Sequence, residues 1–143
     1  MANAKQIIDR KGGKVIGIEP TESVLKAAQL MNRHHIGSLV VIDDHRLAGI
    51  FTERDVMRRV VAKQRDAAET PVSAVMTKSV AVAAPHTTYG ELCAVMREKK
   101  IRHLPVVDGD EVIGVISIGD LNRVDHNEQE RTIQYLEQYM SVT

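Results

Sequence analysis

The chain has 143 residues, 43% of them apolar, and 19 basic residues balance 19 acidic ones. That is enough apolar material for one core or two small ones, and the neutral balance argues against a general nucleic-acid binder, whose footprint is a basic excess. The longest apolar runs are strand-length and far short of a membrane span, no charged-then-apolar leader opens the sequence, and the single Cys93 allows no internal disulfide, so a soluble, cytoplasmic protein is expected. Residues 15–18 read as a short apolar strand ending before Pro20, because proline cannot donate to a sheet ladder. Val24, Ala27, Ala28 and Met31 then fall at i, i+3, i+4 and i+7 and predict a helix. Strands follow at 38–42 and 47–51, joined through Asp43-Asp44-His45-Arg46, and a second helix is expected to begin near Thr52. Residues 67–73 are polar and hold Pro71, which marks a linker.

The same series then recurs. A strand at 80–83 leads to Pro85, and Tyr89, Leu92, Cys93 and Met96 repeat the helical stripe behind a Thr88–Glu91 capping box. The next two strands flank Asp108-Gly109-Asp110, a hairpin signal because glycine tolerates positive φ, and a helix is expected to begin near Ser117. Pro20 matches Pro85, Met31 matches Met96, Ile36 matches Ile101, Leu39 matches Leu104, Asp43 matches Asp108, Gly49 matches Gly114 and Asp55 matches Asp120, every pair about 65 apart. A unit of about 55 residues buries little apolar surface alone. The expectation is therefore an α+β fold: tandem β-α-β-β-α repeats packed sheet to sheet about a pseudo-two-fold axis, with two similar clefts between them. The organisation reads as a first repeat over residues 5–66, a linker over 67–73, a second repeat over 74–125 and a C-terminal amphipathic helix over 126–143. That last helix places Ile133, Leu136 and Met140 on one face, for docking or dimerisation.

Thr52 with Asp55, and Ser117 with Asp120, carry the chemistry. A hydroxyl followed three residues later by an acid is a helix cap contributing about 0.5–2 kcal/mol. The same geometry suits a nucleotide: the hydroxyl can reach a phosphate or ribose oxygen, and a carboxylate offers two acceptors to vicinal ribose hydroxyls. The segments Gly49-Ile50-Phe51-Thr52-Glu53-Arg54-Asp55 and Gly114-Val115-Ile116-Ser117-Ile118-Gly119-Asp120 resemble the G-h-x-[ST]-x-x-D signature of CBS domains. His103-Leu104-Pro105-Val106-Val107-Asp108 resembles the strand that family places before its hairpin, and Val75-Met76-Thr77 resembles the start of a repeat.

The resemblance implies a non-catalytic regulatory module whose composite clefts bind an adenine nucleotide: AMP, ADP, ATP or NAD. One cleft would use Ser117 and Asp120 for ribose and phosphate, with Ile16, Ile18 and Ile36 around adenine. The other would use Thr52 and Asp55, with Ala81, Ala83 and Ile101 around the base. Each of those aliphatic residues reads equally well as ordinary core. A homodimer and an effector protein as partner are also implied.

The two clefts should be unequal. Arg54 stands where the second copy has Gly119, and Arg102 and His103 stand where the first has Gly37 and Ser38. Such a guanidinium can grip phosphate bidentately, so one site could take a mononucleotide and the other a bulkier dinucleotide. The other histidines lack cysteine or histidine partners at zinc spacing, so no metal is expected. Gly12-Gly13-Lys14 lacks the context of a P-loop, and Arg58, Arg59, Lys63 and Arg65 read as a solvated helix face. Three other readings compete: an enzyme, for which no nucleophile–base–orienter set can be placed, a structural dimerisation module with vestigial clefts, and a nucleic-acid binder, disfavoured by charge and by only three Tyr and one Phe.

Overall fold

A computed structural model describes residues 2–142 of the chain and the side chains of residues 2–138. Helix α1 (Ala4–Lys11) is followed by β1 (Gly17–Ile18), α2 (Val24–His34), β2 (Ser38–Asp43) and β3 (Arg46–Thr52). A short α3 (Glu53–Asp55) runs on into a π-helical turn, Val56–Val61. A 3-10 turn (Val72–Ala74), α4 (Tyr89–Lys99), β4 (His103–Asp108), β5 (Glu111–Ser117) and α5 (Ile118–Val142) complete the series.

Strand β1 pairs parallel with β2, which pairs antiparallel with β3. In the second unit β4 and β5 form the matching antiparallel pair. Both hairpins carry a register irregularity at the same place, between Val41 and Ile42 and between Val106 and Val107. The helices repeat as closely. Ser23 caps α2 by accepting from the Lys26 amide at 3.1 Å, and Thr88 caps α4 by accepting from the Glu91 amide at 3.2 Å. Each helix ends on a left-handed residue, His35 at φ 54° and Lys100 at φ 55°. The two units meet along β3 and β5.

Three expectations need correction. The strand at 80–83 shrinks to one bridge, Ala83 to Val106. The Ala83 amide donates to the Pro105 carbonyl and the Val107 amide to Ala83, but the next ladder bond would need an N–H on Pro105, which proline lacks. The stretch after Asp125 is not a separate helix: α5 runs unbroken for 25 residues, about 37 Å at 1.5 Å per residue, because no Pro, and no Gly beyond Gly119 in its first turn, interrupts it. Links such as Gln129 to Asp125 and His126 to Glu130 hold its exposed turns. Ile133 and Leu136 are exposed on it, and the side chain of Met140 lies outside the described residues.

The third correction is α1, a helix where the sequence offered only leading residues. Asn3 accepts from the Gln6 amide at 2.9 Å while the Gln6 side chain accepts from the Asn3 amide at 2.9 Å, a reciprocal cap. This helix completes the second core: Ala4 and Ile7 are buried with Leu92, Met96, Leu104, Ile116 and Leu121. Residues 72–76 do the converse, with Val72, Val75 and Met76 closing the first core around Val24, Leu39 and Phe51. At each crossing a glycine makes room. A Cβ on Gly49 would lie 2.6 Å from the Thr77 carbonyl oxygen, and one on Gly114 would lie 2.7 Å from Cδ1 of Ile8.

Candidate functional site

Two clefts open beside the start of α5 and the start of α3. The larger, of about 400 Å³, is lined by Ser117, Asp120, Ile16 and Ile36, together with Lys11, Gly12, Gly13, Lys14 and Arg123. The smaller, of about 230 Å³, is lined by Thr52, Arg54, Asp55, Ile101 and Arg102, with Arg58, Arg59, Thr77 and Lys100. His103 lines both.

The reciprocal caps form at both helix starts. Asp55 accepts from the Thr52 amide at 2.9 Å and its own amide donates to the Thr52 hydroxyl at 3.3 Å. Asp120 accepts from the Ser117 amide at 2.8 Å and its amide donates to the Ser117 hydroxyl at 3.1 Å. Both carboxylates are buried, at 6% and 4% exposure, and each lines a cleft.

Their surroundings differ. One oxygen of Asp55 meets the Thr77 hydroxyl at 3.5 Å and the Arg59 guanidinium at a loose 3.7 Å. Arg59 is occupied elsewhere as well, donating to the Val75 and Met76 carbonyls at 3.1 and 2.9 Å, so it tethers the 72–76 segment that closes the first core rather than being only a solvated charge. Asp120 is gripped from both sides, by Lys11 at 2.8 Å and by Arg123. Burial pushes the Asp120 carboxyl up, but the bonds from Lys11 and Ser117 and the Lys11 charge outweigh it and hold the group below the usual carboxylate range.

The imidazole of His103 faces the opposite balance. Burial lowers its pKa and the charges of Lys11 and Arg102 lower it further, against the pull of Glu53 and Asp120. The folded state thus favours neutral His103, and the stability this carries is present above the ordinary value of 6.5. It is lost as pH falls from there through the lowered folded value. In urea unfolding followed from pH 7.5 to 5, wild type is expected to lose stability more steeply than His103→Gln. Coincident curves would remove His103 as a source of the slope.

Three residues expected in the clefts are not among those lining them. Ile18 is 7% exposed in the first core, because β1 carries it past the cleft mouth that Ile16 lines. Ala83 is buried in the second core and Ala81 packs against that core, since the bridge to Val106 draws this segment onto β4. Conversely, sequence reasoning missed Lys11, Lys14, Arg123, Thr77 and Lys100. The 65-residue offset held a signal for two of them: Thr77 matches Gly12, and Lys11 matches Met76 of the chain segment beside the other cleft.

Comparison with known proteins gives this geometry a lineage. The sequence matches the CBS domain family twice, over residues 4–62 and 72–127. It is 33% identical over 108 residues to the CBS domain-containing protein YhcV of Bacillus subtilis, spanning 76% of either chain. A CBS-domain protein from Burkholderia ambifaria, described as a candidate signal-transduction protein, is 37% identical with a TM-score of 0.84 over 90% of this chain and 96% of that one. A fold match at 24% identity and a TM-score of 0.80 covers 90% of this chain and 98% of the CBS domain pair of MJ0100, solved with 5′-methylthioadenosine and S-adenosylmethionine. Two matched repeats, two reciprocal Ser/Thr–Asp caps and two clefts between them make this chain a member of the CBS domain family.

Proposed function

We propose that this chain is a non-catalytic regulatory module that binds adenine nucleotides in its two clefts and passes the signal to a partner protein. The observation that carries the reading is the pair of buried carboxylates, Asp55 and Asp120, set at one sequence offset beside a hydroxyl and a row of cations. Apolar walls, Ile16 and Ile36 in one cleft and Ile101 in the other, suit the faces of a base. Cations on both clefts suit phosphate. AMP, ADP, ATP and NAD all fit this description, and the adenosyl ligands of the MJ0100 domain pair support the class. The caps are occupied in structural work, and among the described residues no set of side chains reads as nucleophile, base and orienter.

The module is further proposed to act in the cytoplasm, as a homodimer, without nucleic-acid or membrane partners. No helix among the described residues is long and apolar enough to cross a membrane. The exposed Ile133 and Leu136 of α5 offer a face for a second copy.

One observation favours the alternative, a structural dimerisation module with vestigial clefts: both carboxylates are already satisfied within the chain. A thermal scan separates the two readings, because a ligand that binds only the folded state stabilises it by mass action, about 2.7 kcal/mol at one hundred times Kd. Millimolar AMP, ATP or NAD is expected to raise Tm by several degrees. An unchanged Tm with all three nucleotides, together with native mass spectra free of nucleotide, would leave the dimerisation module standing.

A further inference from the structure

The grip on Asp120 is the feature that nucleotide binding alone does not explain. A carboxylate that must accept from two ribose hydroxyls needs free lone pairs, yet Lys11 and Arg123 each take one of its oxygens and the Ser117 amide takes another share. The Lys11 ammonium also donates to the Val115 carbonyl at 2.8 Å, so it is a held group rather than a passing surface charge. Both cations nevertheless have somewhere to go. Their side chains are 39% and 71% exposed, against 3% for Asp120, and both border the 400 Å³ cleft that Lys14 also lines. The cleft at Asp55 is arranged otherwise, its carboxylate meeting one cation at 3.7 Å while Arg54, Arg58, Lys100 and Arg102 stand clear of it.

We infer that Lys11 and Arg123 make the Asp120 cleft selective for adenine ligands that carry phosphate, against neutral or cationic adenosyl ligands. The inference rests on the nucleotide reading of that cleft and deepens it. A ribose hydroxyl alone cannot displace two cations from a buried carboxylate, because the exchange trades charge-assisted bonds for weaker ones and leaves an ammonium without its counterion. A phosphate changes the balance: it accepts Lys11 and Arg123 as its own partners, and the carboxylate they release is then open to the ribose. The cations are handed from one anion to another, with no charge left bare in the cleft. S-adenosylmethionine, whose sulfonium adds positive charge where Lys11, Lys14 and Arg123 already converge, is excluded most strongly.

The test is calorimetry with ATP, adenosine and S-adenosylmethionine on wild type, on Asp55→Asn to leave the Asp120 cleft as the main site, and on Lys11→Met in the Asp55→Asn background. Asp55→Asn is expected to bind ATP roughly tenfold or more tightly than adenosine, with S-adenosylmethionine weakest. Lys11→Met should move the two ligands in opposite directions: ATP weaker by roughly tenfold, adenosine tighter by several-fold. A residue that merely held α1 in place would weaken both together, and that result overturns the inference. So does an Asp55→Asn protein that binds adenosine as tightly as ATP, or one that binds neither while wild type binds ATP. If the Lys11 variant does not fold, Arg123→Met carries the same expected crossover. Wild type that binds none of the three removes the nucleotide reading itself, an outcome distinct from nucleotide binding without selectivity.

Discussion

Gly49→Ala is expected to destabilise the protein by about 3 kcal/mol or more, and Gly114→Ala by about 1 kcal/mol, although the two positions are equivalent in the repeat. The difference lies in what each new methyl group would strike. At Gly49 it is the backbone oxygen of Thr77, 2.6 Å away, and that oxygen is bonded to the Ile50 amide at 3.0 Å while the Thr77 amide returns a bond to Ile50 at 2.9 Å. Relieving the clash means pulling a strand-like segment off the sheet and giving up two buried backbone bonds. Gly114 would meet Cδ1, Cγ1 and Cγ2 of Ile8 at 2.7, 2.9 and 3.1 Å, side-chain atoms only, so relief costs packing and no backbone hydrogen bond. Urea unfolding of both variants measures the contrast, and equal losses would show that the crossing at Gly49 yields as easily as a side chain does.

Asp55→Asn and Asp120→Asn should each weaken nucleotide binding at one cleft by about a hundredfold, leaving the other cleft's affinity unchanged. Asparagine keeps an oxygen that can accept from the Thr52 or Ser117 amide, so the cap survives and Tm should move by only a few degrees. What is lost is the negative charge facing the ribose. Calorimetric titration would then show one site of two removed by either variant and none retained in the pair. Undiminished binding in both single variants would mean that the carboxylates serve the helices alone.

The hairpins and the two capping boxes were legible in the sequence because each is written locally. Short apolar runs at 38–42 and 47–51 on either side of a polar turn, and a hydroxyl three residues before an acid, are short-range patterns that need no knowledge of the rest of the chain. The losses came where the partner is distant. Lys11 meets Asp120 across 109 positions, and α1 is recognisable only from its cap and from the core it completes. The family resemblance set Ile18, Ala81 and Ala83 near the clefts without giving their depth, so walls of a cleft and members of a core could not be told apart. The shortened strand before Pro85 was readable in principle, since Pro105 was in plain view as a residue that cannot donate, but only once β4 was known to be its neighbour.

The exchange of segments between the two cores sets the order in which the molecule can be completed. Helix α1 leaves the ribosome before any other described element, but the surface it docks on, from Ala83 through Leu121 and Val124, is translated much later. Until then Ile7 and Ile8 have no partner, and the cleft between Lys11 and Asp120 has only one of its walls. The first core lacks its lid only until residues 72–76 emerge, so it closes roughly a third of a chain earlier. A ribosome-stalled chain ending near residue 115, long enough for residues 72–76 to clear the exit tunnel but short of Leu121, should therefore protect Phe51 and Val60 from exchange while leaving α1 open. Synthesis makes the Thr52–Asp55 cap first and the Asp120 cleft only at the end.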